Sequence, residues 1–421
     1  MSTGANWDGM LKRRYGPLVD PLPSPNTMAE HLPFETGKAL GDDFQVTVKL
    51  GLEHGVTRDN TRTAFTLMGA VDSVTKPARL AGSSINIQGR IPREMLAAMS
   101  NGNEASYGEG LDTKVVGLAA GLEFHREIDL HYGCGSAAAA AANIGVISTI
   151  VSGANLAAPI VADLTRASYS AGIWNLMVGG IVDILQADAT TVRAAEVTVT
   201  AVNHSFNRVT LFKTGSAVLP VATDILVPRT GRTLSCYGVQ AILENTGSMF
   251  GISAATYPQW KALQFAVGGA MTRAKIMSVG ARLRQNGLRR GGKMFVNANT
   301  FADLAEEGNT LFRELEAKTI RVQGAENIQY KTACGIVDVA VDDVMKQGIW
   351  MFLGNKVGRR VGSTDNTFTL PGSRKWFFQE LENAAGAQLQ GYMNQAPLLD
   401  IPYHCAIGTG VTNTADTSPS A

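Results

Sequence analysis

The sequence predicts an α+β protein that extends beyond a single compact core. Apolar and polar residues alternate over residues 43–50, and this period of two is typical of a half-buried strand. Apolar residues recur at helical spacing over residues 107–132, which predicts the longest helix of the first half. Short strand-like segments separated by turn residues fill residues 166–229. With 421 residues, the chain is long enough for two or more domains.

The composition indicates a protein whose surface is partly covered by something else. Only 17% of the residues are charged, with 37 basic residues nearly balancing 36 acidic ones, while 45% are hydrophobic. An ordinary soluble domain carries more charge than this. We therefore expect neighbouring molecules to bury much of the apolar surface.

The cysteines and the amino terminus indicate a reducing compartment. The four cysteines are far apart and form no CxxC pair, so the sequence indicates neither a disulfide framework nor a zinc site. They are Cys134, Cys236, Cys334 and Cys405. The basic residues near the amino terminus are not followed by the apolar core of a secretory signal. Residues 130–162 lack Asp, Glu, Lys and Arg but are mostly Ala, Gly and Ser, so we expect no membrane span there.

The first 92 residues are predicted to form two extended segments with little core of their own. Residues 1–42 are rich in proline after a short basic run and are predicted to form an N-terminal arm, held by a neighbouring surface or disordered. A long β-ribbon is predicted over residues 43–92 and is expected to need packing against another surface. Its strands are predicted over 43–50, 64–71 and 83–91, with turn-rich breaks over 53–61 and 75–82.

A basic stretch stands out in the second half. Between Glu244 and Asp303 there is no acidic residue. A helix is predicted over 265–288, and its period places a narrow buried stripe between cations. The cations singled out as facing a polyanion or another subunit are Arg273, Lys275, Arg282, Arg284, Arg289 and Arg290.

Three interpretations of these cations stay open. They could form a solvated helix face, a salt-bridged interface with an acidic segment of another subunit, or a surface that faces nucleic-acid phosphates. Direct reading of bases is disfavoured, because no DNA-binding motif accompanies the cluster.

An aromatic segment, residues 250–264, precedes the basic stretch. A ligand site would need convergent catalytic or polar partners, which the rest of the sequence does not supply. A nucleic-acid stacking platform would need an open groove for the nucleic acid, and the cluster of cations lies downstream, on the following helix. We therefore predict that Tyr257 and Trp260 are packing anchors within or between subunits.

Enzyme signatures are weak throughout. Gly133, Gly135 and Ala138 match the GxGxxA turn of dinucleotide-binding proteins, but a glycine turn at the end of a helix explains the match better. The histidines are scattered, and no HExxH, P-loop or GxSxG motif occurs. The acidic pairs at 306–307 and 342–343 are interpreted as solvated charge. No catalytic residue, cofactor-binding residue or metal ligand is predicted.

Five segments, taken in order, point to a known family. They are GDDFQVTVKLGLEHGVTRDN (41–60), SYSAGIWNLMVGGIVDIL (168–185), MFGISAATYPQWK (249–261), VGSTDNTFTLPG (361–372) and AGAQLQGYMNQAPLLD (385–400). Together they resemble the major capsid proteins of tailed bacteriophages, which have the Hong Kong ninety-seven type capsid fold that is shared with encapsulins. The resemblance covers most of the chain.

The resemblance implies a division of the chain into six parts. They are an N-terminal arm (1–42), an extended loop (43–92), a spine helix with the first part of the peripheral domain (93–165), an inserted β-rich module (166–229), an axial domain (230–360), and the return strands of the peripheral domain with a polar C-terminal tail (361–421). The family's namesake cross-links its subunits through a lysine of the extended loop, and that property is not carried over to Lys49 or Lys76.

The resemblance also implies a structural role and no enzyme activity. A protein of this family self-assembles as hexamers and pentamers into an icosahedral shell that encloses double-stranded DNA, and it is found in the virion after assembly in the host cytoplasm. The implied partners are other copies, packaged DNA bound without sequence preference, a portal, a separate scaffolding protein and a decoration protein, with no membrane and no cofactor. The alternatives are an encapsulin-like compartment and, more distantly, a nucleotide-dependent oxidoreductase.

Overall fold

The computed structural model describes residues 27–37, 39–40, 43–60, 66–93, 104–135, 143–313, 328–369, 378–380 and 386–413. Helices and strands are both abundant there, and strand pairing between distant segments builds two large sheets and a closed barrel. The α+β class is therefore confirmed. Most of the predicted N-terminal arm and the end of the polar tail lie outside the described residues.

Seven α-helices lie in the described residues. They are α1 (Thr27–His31), α2 (Glu104–Tyr132), α3 (Ala171–Leu176), α4 (Gly231–Leu234), α5 (Val239–Glu244), α6 (Arg273–Gln285) and α7 (Ala298–Arg313). Single turns of 3₁₀-helix cover Arg166–Ser168, His204–Phe206, Pro258–Trp260 and Pro402–His404.

The same residues form twenty-two strands. They are β1 (Phe34–Thr36), β2 (Ala39–Leu40), β3 (Asp43–Lys49), β4 (Thr75–Ala81), β5 (Ser83–Pro92), β6 (Gly145–Ser152), β7 (Ile160–Leu164), β8 (Ile181–Leu185), β9 (Val192–Asn203), β10 (Arg208–Phe212), β11 (Ile225–Pro228), β12 (Ser248–Met249), β13 (Ile252–Ser253), β14 (Leu263–Gly269), β15 (Gly292–Val296), β16 (Ile328–Thr332), β17 (Gly335–Val341), β18 (Ile349–Gly354), β19 (Gly358–Thr367), β20 (Phe378–Glu380), β21 (Gly386–Leu399) and β22 (Ala406–Val411).

The predicted ribbon is shorter than expected. Strands β3 and β4 pair antiparallel from Asp43↔Ala81 to Lys49↔Thr75, and residues 66–71, predicted as a strand, form none. The predicted break over 75–82 is instead strand β4, because Ala78 and Leu80 are fully buried in the main core. Strand β5 leaves the ribbon and pairs with β21 over its whole length.

The long predicted helix is confirmed as α2, which begins at Glu104 rather than at residue 107. Leu118 and Leu122 are buried, as their helical spacing predicts, whereas Val116 on the opposite side is exposed. Helix α2 packs against the sheet that contains β1, β19, β21 and β5. This sheet also holds the amino-terminal segment, because β1 pairs in parallel with β19.

The β-rich module is a closed six-stranded barrel in the order β10-β7-β6-β11-β8-β9. It begins with β6 at Gly145, earlier than the predicted residue 166. The segment 145–152 is uncharged and continues an alanine-rich stretch, so its strand pattern is hard to recognise in the sequence. Pairing of β6 with both β7 and β11 makes it an internal member of the barrel.

A six-stranded sheet in the order β14-β22-β18-β15-β17-β16 forms the second large sheet. The helix predicted over 265–288 is wrong for its first part: residues 263–269 form β14, which pairs in parallel with β22. Gly268 and Gly269 end the strand with positive φ angles of 57° and 133°. Thr272 then caps α6 by accepting a hydrogen bond from the Lys275 backbone N–H.

Strand β22 was expected among the return strands of the peripheral domain, but it lies in this second sheet between β14 and β18. The carboxy-terminal strand therefore belongs to the sheet that is otherwise built from residues 263–354, and not to the sheet that contains β19 and β21. Among the described helices, none combines the length and the apolar character needed to cross a membrane.

Candidate functional site

The carboxy-terminal end of α2 is hydrogen-bonded to the connection between β17 and β18. We call residues 342–348 the joint segment. The Tyr132 hydroxyl donates to the Val344 carbonyl oxygen at 3.0 Å and accepts from the Lys346 backbone N–H at 3.0 Å. Nε2 of His131 lies 2.8 Å from Oδ2 of Asp342. Two consecutive side chains of α2 thus hold the joint segment of the second sheet.

The joint segment also holds the barrel. The backbone N–H groups of Gln347 and Gly348 donate to the carbonyl oxygens of Tyr169 and Ala167, both at 3.1 Å. The Ser170 hydroxyl donates to the carbonyl oxygen of Asp343 at 2.8 Å. The joint segment is therefore where the long helix, the barrel and the second sheet meet.

A cluster of three buried side chains, Glu127, His131 and Asp342, lies at this meeting point. The Glu127 carboxylate accepts from the backbone N–H groups of Met28 and Ala29, at 2.5 and 3.3 Å, and so anchors α1. Nδ1 of His131 lies 2.8 Å from the Glu127 carbonyl oxygen. The interpretation of Asp342 as solvated charge is wrong. Its side chain is buried, and its carboxylate is hydrogen-bonded to His131 and to the Val344 N–H.

The pKa values of this cluster follow from burial and from the neighbouring charges. Burial alone lowers the pKa of His131, but the charges of Asp342 and Glu127 and the hydrogen bonds to both residues raise it to about 9. Burial raises the pKa of Glu127 to about 7, against the opposing effect of His131. At neutral pH His131 is therefore a buried cation that bridges two acidic residues.

The same three side chains are the one group among the described residues whose ligand atoms lie close enough for a metal ion. The 2.8 Å separation of His131 Nε2 and Asp342 Oδ2 is that of a direct charge-assisted hydrogen bond. An ion between these two atoms would need them further apart, so the donor set fits an ion-pair network rather than a metal centre.

A buried lysine completes the joint. Lys346 is 3% exposed, its Nζ lies 3.4 Å from Oε1 of Gln240, and it stands 4.1 Å from the centre of the Tyr132 ring. Burial lowers the pKa of Lys346 to about 7, with Glu244 opposing the change. Helix α5 is thereby tied to the joint segment.

The six predicted cations lie on and after α6, and the structure separates them into two kinds. Lys275 is half-buried and its Nζ donates to the Ala270 carbonyl oxygen at 2.7 Å. The other five cations are exposed and form no ion pair within the described part of the chain. They are Arg273, Arg282, Arg284, Arg289 and Arg290. The predicted buried stripe of Ile276, Val279 and Leu283 is confirmed.

The basic surface continues into an open cleft of about 850 Å³. Arg290 and Lys356 line it from two loops, which are joined by a hydrogen bond from Asn355 Nδ2 to the Arg290 carbonyl oxygen at 2.9 Å. Arg359 also lines the cleft, where its guanidinium pairs with Glu35 and Asp400.

The two predicted packing anchors lie in the connection that leads to β14. Trp260 is 3% exposed, and its Nε1–H donates to the Met249 carbonyl oxygen at 3.2 Å. Tyr257 is partly buried against the same core. Both aromatic rings therefore pack against other residues of the same chain.

The glycine turn at residues 133–135 does not have the strand-turn-helix setting of a dinucleotide site. Helix α2 precedes it, the Gly133 N–H donates to the Asp129 carbonyl oxygen, and Cys134 forms an isolated bridge with Tyr237. The position of Ala138 falls outside the described residues. The turn ends a helix, as its sequence favoured.

The connection between β3 and β4 presents apolar side chains to solvent. We call residues 50–60 and 66–74 the ribbon loop. Between 39% and 74% of the surface is exposed at Leu52, Val56, Leu67, Met68, Val71 and Val74. The two limbs of the loop are held together by hydrogen bonds from the His54 N–H to the Val71 carbonyl oxygen and from the Met68 N–H to Thr57 Oγ1.

Known proteins resemble the chain in structure but not detectably in sequence. No protein-family model and no curated protein matches it. A chain of the Cyanophage A-1(L) capsid asymmetric unit matches with a TM-score of 0.53 and 12% identity, over 98% of this chain and 100% of that chain. The chain therefore has the capsid fold that its sequence segments predict.

Two further solved structures are similar over nearly the whole chain. The capsid of an empty GTA particle matches at 8% identity with a TM-score of 0.48, over 98% of this chain and 99% of that chain. The holo-SrpI encapsulin from Synechococcus elongatus PCC 7942 matches at 10% identity with a TM-score of 0.45, over 98% and 97%.

Proposed function

We propose that the protein is a major capsid protein of a tailed bacteriophage, which self-assembles as hexamers and pentamers into an icosahedral shell around double-stranded DNA. The observation that carries the proposal is the ribbon loop, which exposes six large apolar side chains on a chain with a capsid fold. Several large exposed apolar side chains within one loop, unlike a single one, are typical of a surface that binds a partner.

The ribbon loop is suited to a neighbouring copy. Its hydrogen-bonded limbs give it a defined shape before binding, which reduces the entropy lost on docking. Strands β3 and β4 fix its base, because Phe44 and Leu80 are buried in the subunit's own core. A loop that projects from one copy onto another makes a head-to-tail contact, and such contacts close into rings.

The exposed arginines support a role facing the packaged DNA. Arg282, Arg284, Arg289 and Arg290 present positive charge without an acidic partner among the described residues. Cations of this kind neutralise phosphates without reading base sequence. A virion location after assembly in the host cytoplasm, a portal, a separate scaffolding protein and a decoration protein complete the proposal.

Electron microscopy of the full chain tests the proposal. The protein is expressed alone and with a scaffolding protein encoded beside it, and the particles are imaged and analysed for their contents. Closed shells built of hexamers and pentamers that hold DNA support the proposal. Soluble monomers that never form capsomers contradict it, and shells that hold a cargo enzyme instead of nucleic acid favour an encapsulin-like compartment.

A further inference from the structure

The open cleft beside the basic surface has walls from distant parts of the chain. His31, Pro33 and Glu35 line it from the end of α1 and from β1. Arg290 belongs to the connection between α6 and β15, and Lys356 to the turn between β18 and β19. With about 850 Å³, the cleft has a volume typical of sites for small ligands.

The acidic side chains of the cleft are already paired. Its two carboxylates, Glu35 and Asp400, both bind the guanidinium of Arg359, and Nη2 of Arg359 lies 3.0 Å from Oδ1 of Asp400. These three side chains together carry one negative charge, against the two positive charges of Arg290 and Lys356. The lining of the cleft therefore has a net positive charge.

The side chains of the cleft that lack a partner are hydrogen-bond donors. Arg290 and Lys356 are exposed and form no ion pair or side-chain hydrogen bond within the described residues. The imidazole of His31 is half-buried and has no hydrogen-bond partner in that part of the chain either. Burial and the charge of Lys293 lower the pKa of His31 to about 4, so the ring is neutral at pH 7 and has one N–H to donate.

The donors are held in place before any ligand binds. Asn355 joins the two basic loops, because its Nδ2 donates to the Arg290 carbonyl oxygen at 2.9 Å and its N–H donates to the Gly291 carbonyl oxygen at 3.1 Å. Gly291 has a φ of 66°, and a Cβ there would lie 1.9 Å from a backbone carbonyl oxygen. The His31 ring packs edge-on against Phe295, with the ring centres 5.4 Å apart. A ligand would thus order few additional groups on binding.

We propose that the cleft is a binding site for a small phosphate-bearing ligand, which Arg290, Lys356 and the imidazole N–H of His31 hold together. A phosphate group carries negative charge and several acceptor oxygens, which match two cations and a neutral donor. A cationic ligand would be repelled by Arg290 and Lys356 and would leave all three donors unused. Two sources supply such a group, namely a free oligophosphate and the backbone of DNA.

Occupation of the cleft would also hold the amino-terminal segment in place. His31 comes from α1, whereas Arg290 and Lys356 come from connections of the second sheet. A ligand that contacts both sides binds only while this segment is docked, and it therefore stabilises the docked state by mass action. The site goes beyond the proposed function, because it operates within a single subunit, although it shares Arg290 with the surface proposed to face DNA.

Isothermal titration calorimetry of the full, unassembled chain with pyrophosphate tests the proposal. Arg290→Gln and Lys356→Gln should each weaken binding by at least about fivefold, because each removes a charge-assisted hydrogen bond. Arg79→Gln is the matched control. Arg79 is exposed on β4 and does not line the cleft, so its replacement should change the affinity by less than about twofold. The absence of saturable binding, or equal losses in all three variants, overturns the site.

His31→Phe tests the third donor and the amino-terminal segment. This change keeps an aromatic ring against Phe295 but removes the N–H, so the affinity for pyrophosphate should fall by at least about threefold. Hydrogen exchange over residues 27–36 then measures docking of the segment. Pyrophosphate should slow this exchange in the native protein but not in the double variant Arg290→Gln, Lys356→Gln. Binding that leaves the exchange unchanged would overturn the contact with the amino-terminal segment.

Competition experiments identify the chemistry and the source of the ligand. If the site takes the DNA backbone, a short duplex displaces pyrophosphate and binds more weakly to Lys356→Gln. If the ligand is free, the duplex does not displace pyrophosphate, and Lys356→Gln leaves the affinity for the duplex unchanged. A peptide of four glutamates that binds as tightly as pyrophosphate would overturn the preference for phosphate.

The test is independent of the proposed function, because every measurement uses the unassembled chain. If shells do not form but pyrophosphate binds as expected, the proposed function fails and the phosphate site stands. If shells form around DNA but pyrophosphate does not bind, the phosphate site is overturned and the proposed function stands.

Discussion

His131 and Asp342 are joined by a buried 2.8 Å hydrogen bond between Nε2 and Oδ2, although 211 residues separate them in the chain. Glu127, one helical turn before His131, holds the amino-terminal helix α1 with the same carboxylate that raises the His131 pKa. His131 and Glu127 together thus connect the amino-terminal segment, the long helix and the second sheet.

Replacing His131 by Leu should lower the free energy of unfolding of the unassembled subunit by about 3–5 kcal/mol, because two buried acidic groups lose their cation. Urea denaturation measures the loss. His54→Leu is the control, since His54 lies exposed in the ribbon loop and its replacement should change the free energy by no more than about 0.5 kcal/mol. The double variant His131→Leu, Asp342→Leu should lose less than the sum of the single variants; strict additivity would contradict the pairing.

The pH dependence of stability provides a second test of the cluster. The pKa of His131 is raised to about 9, so its contribution is fully present below pH 6.5 and is lost as the pH rises through 9. The pKa of Lys346 is lowered to about 7, so its contribution is lost as the pH falls through 7. The two effects oppose each other in the native protein.

A comparison of Glu127→Gln with the double variant Glu127→Gln, His131→Asn isolates the histidine, because Lys346 is present in both proteins and the Glu127 carboxyl, whose pKa His131 also shifts, is absent from both. The difference in unfolding free energy between these two variants should be largest near pH 6 and should shrink as the pH rises from 7 to 10. Urea midpoints across this range measure it. A difference that stays constant or grows with pH would show that His131 is not a buried cation.

The ribbon loop should be dispensable for folding and required for assembly. Replacing residues 52–73 by a two-residue Asn-Gly turn keeps β3 and β4, whose buried residues Phe44, Ala78 and Leu80 belong to the core. The urea midpoint of the subunit should stay unchanged, while shells seen by electron microscopy should disappear. Val116→Ser, an exposed apolar change on helix α2, should leave assembly intact. Normal shells from the loop variant would rule out the loop as an assembly contact.

The sequence predicts those parts of the fold that local periodicity determines. The alternation over residues 43–50 predicts β3, and the helical spacing of Leu118 and Leu122 predicts α2. The positions of Ile276, Val279 and Leu283 predict the buried side of α6. Each of these patterns reflects a single element that turns one side toward the core, and this information is contained within a short window of the chain.

Contacts between distant segments lie beyond such patterns. Phe265 and Val267 form a strand because β22 supplies a parallel partner from the end of the chain, and no residue near them signals that pairing. Asp342 lies in an acidic turn of a kind that is usually solvated, and only the folded position of His131 makes it a buried ion-pair partner. Strand β4 likewise depends on core residues outside its own sequence.

The exposed arginines should act as separate phosphate contacts if they face DNA. Changing Arg282, Arg284, Arg289 or Arg290 singly to Gln should weaken binding of duplex DNA equally for unrelated sequences, and each change should reduce the slope of log K against log salt concentration by about 0.9. Fluorescence anisotropy at several salt concentrations measures both effects. Arg229→Gln is the control, since Arg229 pairs with Glu196 on the barrel. Unchanged slopes in all four variants would favour a subunit interface instead.

Trp260 should stabilise the subunit itself rather than the assembly. Its ring is buried in the main core, so Trp260→Ala should lower the free energy of unfolding of the unassembled protein by about 3–5 kcal/mol. Trp260→Phe keeps most of the packing but loses the hydrogen bond to the Met249 carbonyl oxygen, and it should lower that free energy by only about 1–2 kcal/mol. Urea denaturation ranks the variants. If the Trp260→Ala protein were as stable as the native one and failed only in assembly, the ring would instead make its contact between subunits.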